Sequence, residues 1–293
     1  KLTYAGNPDN LNNIKSSDLY SFQEGDVCNS TLLKETIFNF KPDYVVHFAA
    51  ESHVDRSISD PGAFIETNVL GTFNLLEACR ILWEDNYSKY RFLHVSTDEV
   101  FGSLGKTGVF SESSPYKPNS PYSASKAGAD HLVRAYYHTY AFPGIITNCS
   151  NNFGPYQFPE KLIPQTIYRA ASGKPIPVYG DGTNVRDWLY VMDHVEALWL
   201  VLTFGKAGES YNIGADNEWP NLRLIEKICD LVDSKLKRKI VPARELLTFV
   251  KDRQGHDFRY AIDACKIRRE LGWKPTHKFE SAMEMTVNWY LSN

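Results

Sequence analysis

The sequence has no apolar run approaching the ~20 residues that a membrane-spanning helix needs, and no charged-then-apolar leader at its start as given. It has no basic surplus: Lys and Arg number 32 against 35 Asp and Glu, a net charge of −3. General nucleic-acid binding, which relies on a cationic surface, is thereby disfavoured. Cysteine is sparse: Cys28, Cys79, Cys149, Cys229 and Cys265 are odd in number, widely spaced and form no CxxC. That usage excludes a disulfide framework and suits reduced, buried thiols of a cytoplasmic protein. The 8 histidines include no HExxH and no His/Cys cluster at ligand spacing, so no metal site is expected; His47 and His53 are isolated imidazoles. Asn-x-Ser/Thr sequons occur at Asn29, Asn86 and Asn148. The last lies in an apolar run, Ile145–Cys149, where a glycan could not pack, so all are read as chance matches.

What is present is a globular composition. The 293 residues are 43% hydrophobic, 23% charged and 13% aromatic, with 17 Tyr, enough for a sizeable core and well-lined pockets. Short apolar runs alternate with long amphipathic ones. The run Tyr44 to Ala50 reads as a strand buried on both faces. A helix follows over about 62–83, opened by Pro61, with apolar positions at three- and four-residue spacing. A strand at 91–96, a polar loop over 102–119, a helix over 121–140 and a strand at 145–150 complete this half. The alternation predicts an α/β fold, a doubly wound parallel sheet, with ligands at the carboxyl ends of the strands. Beyond Gly154 the prolines break the pattern into shorter pieces. Helices are expected near 160–172, 193–204, 221–233 and 279–291, and strands near 176–179 and 210–213. Residues 1–154 are read as a Rossmann-like domain and 155–293 mainly as a smaller mixed C-terminal substrate domain.

Several constellations bear chemistry. Tyr122 and Lys126 stand one helical turn apart on one face, so the ammonium favours the phenolate and lets the tyrosine exchange a proton near neutrality. The competing reading is a surface pair. Thr97-Asp98-Glu99 follows a strand end, and two carboxylates in one pocket can divide into a protonated acid and an ionised base. The competing reading is a solvated acidic turn. Ala49-Ala50-Glu51-Ser52 offers small residues for close approach of a ligand. Asn151-Asn152 pairs amides after the third strand, or is an ordinary turn. Arg186, in Val-Arg-Asp-Trp, has a fork suited to phosphate, as does the Asp252–Asp257 group, unless Arg186 and Asp187 are a surface pair.

Together these segments resemble the extended short-chain dehydrogenase/reductase family, and within it the dTDP-glucose 4,6-dehydratase branch. The resemblance rests on HFAAESHVDRS from His47, FIETNVLGT from Phe64, STDEVFG from Ser96, SPYSASKAGADHLVRAY from Ser120, TNCSNNFGPYQFPEKLIP from Thr147, VRDWLYVMDH from Val185 and DRQGHDFRYAID from Asp252. It implies a lyase using NAD. Tyr122 takes the proton of the sugar 4-hydroxyl as hydride leaves C4, and Lys126 holds the nicotinamide ribose. Glu99 removes the C5 proton, Asp98 protonates the departing 6-hydroxyl, hydride returns to C6, and Thr97 binds near O4. The product would be a dTDP-4-keto-6-deoxyglucose. The family pattern puts Lys1, Leu2, Thr3 and Gly6 near the adenosine ribose and Asp26 and Val27 at the adenine. Ala49, Ala50, Ser52 and Thr67 would line the cofactor groove, with Asn152 near the nicotinamide. The nucleotide sugar would meet Ser52, Thr97, Asn151, Lys161, Leu162, Pro177, Tyr179, Arg186, Asn221, Arg253 and His256. A homodimer through helices 62–83 and 121–140 is also implied, with no nucleic-acid or membrane partner.

The chain departs from the family pattern at Phe101 and Phe153, where Tyr is frequent, and at Gln254, where Pro is frequent. The family opens with a strand, a GxxGxxG loop and a helix whose N–H groups hold the cofactor pyrophosphate. The resemblance implies such a segment before Lys1, and weak NAD binding by residues 1–293 alone. The alternatives are a 4-epimerase, disfavoured by Asp98-Glu99, and a non-catalytic nucleotide-binding protein.

Overall fold

The computed structural model describes residues 1–84, 86–237 and 241–293. The first elements are α1 (Ser30–Phe40), β1 (Tyr44–His47), α2 (Val54–Ser59) and α3 (Pro61–Phe64), which runs through a π-helical turn (Ile65–Leu70) into α4 (Gly71–Trp83). Then come β2 (Arg91–Thr97), a 3-10 turn (Asp98–Phe101), α5 (Pro121–Tyr140) and β3 (Gly144–Cys149). The rest comprises β4 (Asn151–Phe153), α6 (Leu162–Ser172), β5 (Ile176–Tyr179), β6 (Val185–Tyr190), α7 (Val191–Phe204), β7 (Ser210–Ile213), β8 (Glu218–Pro220), α8 (Asn221–Leu236), β9 (Leu247–Val250), α9 (Cys265–Leu271) and α10 (Phe279–Ser292). One sheet has the order β1-β2-β3-β7, a second β4-β6-β8 and a third β5-β9. Parallel pairing joins β1 to β2, with Tyr44 opposite Arg91, as well as β4 to β6 and β5 to β9; β6 and β8 are antiparallel.

The chain divides into two compact units: residues 1–95, 120–146 and 206–209, and residues 96–119, 147–205 and 210–293. Each has its own apolar core. In the first, Leu76, Ala78, Cys79 and Trp83 of α4 pack with Phe92, Val133 and Phe142. The Trp83 indole stacks on Tyr90 at 4.7 Å and on Phe142 at 5.4 Å, and its N–H donates to the Pro42 carbonyl at 3.1 Å, so a large apolar surface is buried with its polar atom satisfied. In the second, α6, α8 and α10 close over Phe153, Ile176, Val178, Trp188 and Tyr190. Phe153 there meets Trp188, Tyr190 and Phe279 edge-on or tilted, and Phe101 packs on Phe110 and Tyr116. Both phenylalanines are buried and packed against other rings.

Local chemistry explains the elements that carry the site. Ser120 caps α5 by exchanging hydrogen bonds with Ser123, Pro121 takes the first helical position, and Ala141 ends the helix with a left-handed φ of 54°. Gly102 closes the turn after β2 at φ 86°, where a Cβ would lie 2.3 Å from the Lys117 carbonyl oxygen, so no other residue fits.

The structure corrects several expectations. The first apolar run is a strand only to His47, and Tyr44 and Phe48 are exposed rather than buried on both faces. Among the described residues β1 has one strand neighbour, and its side chains alternate in burial. Asn151–Phe153 is a strand, not a turn, and Val-Arg-Asp-Trp is the strand beside it. The helix α1 was not foreseen; Asn29, the sequon residue, caps it by accepting from Leu32 N at 3.1 Å. Of the free cysteines, Cys79 and Cys229 are buried but Cys265 is exposed. No helix among the described residues is long and apolar enough to cross a membrane.

Candidate active site

All the expected cofactor residues except Asn152 fall in the first unit, and all the expected catalytic and substrate residues except Ser52, Tyr122 and Lys126 fall in the second. In the first unit Tyr122 and Lys126 are buried, 8% and 4% exposed, which overturns the surface-pair reading. The Tyr122 ring meets Phe64 edge-on at 6.2 Å. The Lys126 ammonium donates to the Val95 carbonyl at 2.8 Å, tying α5 to the end of β2. Burial, and after it the Lys126 charge, presses the nearby His47 and His94 rings below the ordinary histidine range, which favours their neutral forms.

The same unit holds the adenosine-side candidates. The Asp26 carboxylate takes the Cys28 N–H at 3.0 Å and pairs with the Lys1 ammonium at 2.7 Å, which holds it below the usual carboxylate range. The backbone nitrogen of Lys1 also donates to the Gly25 carbonyl, and Gly6 N closes a turn on the Thr3 carbonyl. Leu2 is exposed. Val27 lies over Gly71, and its carbonyl accepts from the Asn74 amide. Thr67 lies in the π-turn, next to Glu66, whose carbonyl accepts from the Cys28 thiol at 3.3 Å. Ala49 is exposed and Ala50 and Ser52 are half-buried, just past β1.

Asn68 went unnoticed in the sequence. The π-turn points its buried amide back at the loop after β1: Oδ1 accepts from Glu51 N at 2.9 Å, and Nδ2 donates to Glu51 O at 3.0 Å and to Ser125 Oγ at 2.8 Å. Ser125 in turn donates to the Tyr122 carbonyl at 2.7 Å. One side chain thus fixes both the Ala49–Ser52 loop and the first turn of the Tyr122 helix, as π-turns at functional sites do.

In the second unit the acidic triplet is not a solvated turn. Thr97 caps the 3-10 turn, its hydroxyl accepting from Glu99 N at 3.3 Å and lying 3.4 Å from Asp98 Oδ1, while its carbonyl accepts from the Asn148 amide. Asp98 is 1% exposed, and its Oδ2 has no hydrogen-bond partner among the described residues. Burial, then the Glu99 and Asp187 charges, push its carboxyl well above the ordinary range. Burial also raises Glu99, but Arg186, Lys161 and Arg253 oppose the rise. The pair is therefore split: Asp98 is the stronger candidate for a neutral acid, and Glu99, facing cations, for an ionised base.

Arg186 is 7% exposed and Asp187 1%, so they are no surface pair. Arg186 donates to the carbonyls of Val185, Asp257 and Phe258 and stacks on Tyr260 at 4.2 Å, which commits part of its fork to the protein. Asp187 caps the backbone N–H groups of Ala215 and Asn217. Asp257, missed in the sequence as a partner, accepts from Asn119 at 2.6 Å and from Tyr260 Oη at 2.5 Å. Tyr179, Arg253 and His256 are brought together: the guanidinium lies 5.3 Å over the Tyr179 ring, which His256 meets edge-on at 6.5 Å, and the His256 ring bonds Asp252 at 2.6 Å. Pro177 lies on the same strand as Tyr179. Lys161 and Leu162 start α6, and Asn221 starts α8. The buried amide oxygens of Asn151, Asn152 and Asn221 have no partner among the described residues, leaving acceptors for a hydroxyl or a base N–H.

Comparison with known proteins agrees. A family model for GDP-mannose 4,6-dehydratase matches residues 1–286. The dTDP-glucose 4,6-dehydratase of Neisseria meningitidis serogroup B is 53% identical over 301 residues, covering 100% of this chain and 85% of that one. Among solved structures, the dTDP-glucose 4,6-dehydratase DesIV of Streptomyces venezuelae, with NAD bound, superposes with a TM-score of 0.91 at 45% identity, covering 100% of this chain and 86% of that one. The dTDP-glucose 4,6-dehydratase of Bacillus anthracis, in complex with NAD, gives a TM-score of 0.87 at 46% identity, covering 100% and 86%. Matched along its whole length, the chain belongs to the GDP-mannose 4,6-dehydratase family of nucleotide-sugar dehydratases, among the dTDP-glucose 4,6-dehydratases.

Proposed function

We infer that this chain converts dTDP-glucose to dTDP-4-keto-6-deoxyglucose with NAD as its cofactor. The observation that carries the reading is the buried Thr97-Asp98-Glu99 turn, in which one carboxylate faces other acids and its neighbour faces Arg186, Lys161 and Arg253. An elimination of water needs that division of labour, an acid for the leaving hydroxyl and a base for the adjacent C–H. A 4-epimerase has no use for it.

The donor set of the first unit suits a nicotinamide dinucleotide. Lys1, Leu2, Thr3, Gly6, Asp26 and Val27 would hold the adenosine end, with the oriented Asp26 carboxylate as hydrogen-bond acceptor. Ala49, Ala50, Ser52 and Thr67 would line the path to Tyr122 and Lys126, and Asn152 would meet the nicotinamide end. NAD supplies the hydride acceptor for C4 and the hydride donor for C6. Tyr122 takes the 4-hydroxyl proton, helped by the Lys126 charge. With C4 a ketone, the C5 proton is acidic and Glu99 removes it. Asp98 delivers its proton to the 6-hydroxyl, which leaves as water. Thr97 and Asn151 hold the sugar. Lys161, Leu162, Pro177, Tyr179, Arg186, Asn221, Arg253 and His256 hold the nucleoside diphosphate, the stacked Arg253 and Arg186 supplying positive charge.

On this reading residues 1–154 chiefly serve the cofactor and 155–293 the nucleotide sugar, in a cytoplasmic homodimer through helices 62–83 and 121–140. Exposed Ile65, Leu70, Phe73, Ile81 and Tyr140 on those helices support the dimer. The test of the chemistry is Glu99→Gln with dTDP-glucose. Reduced nicotinamide should accumulate on mixing while no water is lost. A variant that still eliminates water at the wild-type rate would remove Glu99 from the role of base.

A further inference from the structure

Beneath the Tyr122–Lys126 pair the first unit carries a buried polar cluster that the mechanism above does not use. His94 on β2 is fully buried, and its Nε2 lies 3.1 Å from Oδ1 of Asp130, itself 1% exposed. Asp130 stands one turn beyond Lys126 on α5, on the same face. The residue after His94 is Val95, whose carbonyl receives the Lys126 ammonium. The α5 helix therefore grips two consecutive residues of β2, once through Asp130 and once through Lys126. His94 is backed in turn by His47, with ring centroids 5.2 Å apart, and His47 is pinned to the Thr72 hydroxyl at 2.9 Å.

A buried ammonium is costly unless an opposite charge accompanies it. Asp130 is the only acidic residue in the α5 sequence. The charges felt at His94 are Lys126 and Asp130, and those at His47 are His94 and Lys126. With both rings neutral, the net charge of the cluster is carried by Lys126 and Asp130. Of the other charged residues on elements packed against α5, Arg56 of α2 lies over the Tyr4 ring, while Glu77 and Arg80 of α4 pair with each other and meet α5 further along, at Tyr136 and Tyr140. Asp55 of α2 and Glu66 of the π-turn are the other acidic residues on those elements.

We propose that Asp130, acting through His94, is the positioning counter-charge of Lys126, holding its ammonium aligned and protonated for the Tyr122 proton transfer. The functional unit of α5 thus extends from Tyr122 and Lys126 by one further turn to Asp130. This deepens the dehydratase reading and rests on it for the assay.

The test is the pH profile of kcat and kcat/KM for dTDP-glucose with NAD supplied. In Asp130→Asn the shape is kept and a negative charge is lost, so neighbouring groups release their protons more readily. Both limbs of the profile should move to lower pH, by about one unit. Asp130→Glu should leave the limbs in place. His94→Asn keeps the charge but breaks the link, and should lower kcat roughly tenfold or more without moving the limbs. A role confined to packing would lower the melting temperature of Asp130→Asn and leave its limbs at wild-type positions, and that result overturns the proposal. Should Asp130→Asn fail to fold, wild-type kcat in His94→Asn, or a downward shift in Asp130→Glu, overturns it equally. Failure of the wild-type protein to release water would refute the dehydratase reading itself, a result distinct from unmoved limbs in an active enzyme.

Discussion

Replacing His194 by Leu should make the protein more resistant to mild acid. His194 lies on α7, 7% exposed, and its Nε2 has no partner among the described residues. Burial alone lowers its pKa from the ordinary 6.5 to about 4. The folded state therefore excludes a proton that the unfolded chain accepts. A histidine depressed in this way contributes stability that is present above pH 6.5 and lost as the pH falls towards 4. At about 1.4 kcal/mol for each pH unit, the loss over that window is about 3 kcal/mol. Leucine fills a similar space and titrates nothing. Urea unfolding followed by tryptophan fluorescence, at steps from pH 7 to 4, would give ΔG against pH for both proteins. His47 and His94 are also depressed and steepen both curves, so the difference between the curves isolates His194. The wild type should lose about 3 kcal/mol more than the variant across the window. Parallel curves would show that His194 is solvated or hydrogen-bonded in the native state, and the burial argument would fall.

Other outcomes follow from single contacts. Asn68→Ala strands the Glu51 backbone N–H and carbonyl and removes the bond that the Ser125 hydroxyl accepts; it should cost about 2–3 kcal/mol in thermal unfolding and weaken NAD binding by calorimetry. Unchanged NAD affinity would mean that the loop after β1 does not hold the cofactor. Arg186→Lys loses the carbonyl bonds and the stack on Tyr260, and should raise KM for dTDP-glucose roughly tenfold or more with a smaller effect on kcat. An unchanged KM would confine Arg186 to a structural role.

How far the site was legible in the sequence depends on the range of the interactions. Tyr122 and Lys126 could be read because helical spacing alone places them on one face, and Pro121 and Ser120 announce the helix start. The short strands at 176–179 and 210–213 were legible from their apolar residues between breakers. Asn68, Asp130, Asp187 and Asp257 were not. Each is a polar residue whose partners lie far away in sequence, such as Ser125 for Asn68 and Asn119 for Asp257, so its value appears only when the chain has folded. The π-turn was not legible either: helical periodicity runs smoothly over 62–83, and the register change shows only in backbone bonds such as that from Gly71 N–H to the Glu66 carbonyl, five residues back. The acidic triplet was visible as a motif, but the split between Asp98 and Glu99 comes from Asp187 and from three cations on separate elements.

The most direct test of the central claim is the product made from dTDP-glucose in deuterated water with NAD present. The account predicts a product lighter than substrate by one water, carrying solvent deuterium at C5, because Glu99 removes the C5 proton and a solvent-derived proton returns there. A product of unchanged mass inverted at C4, or no product at all, would contradict it.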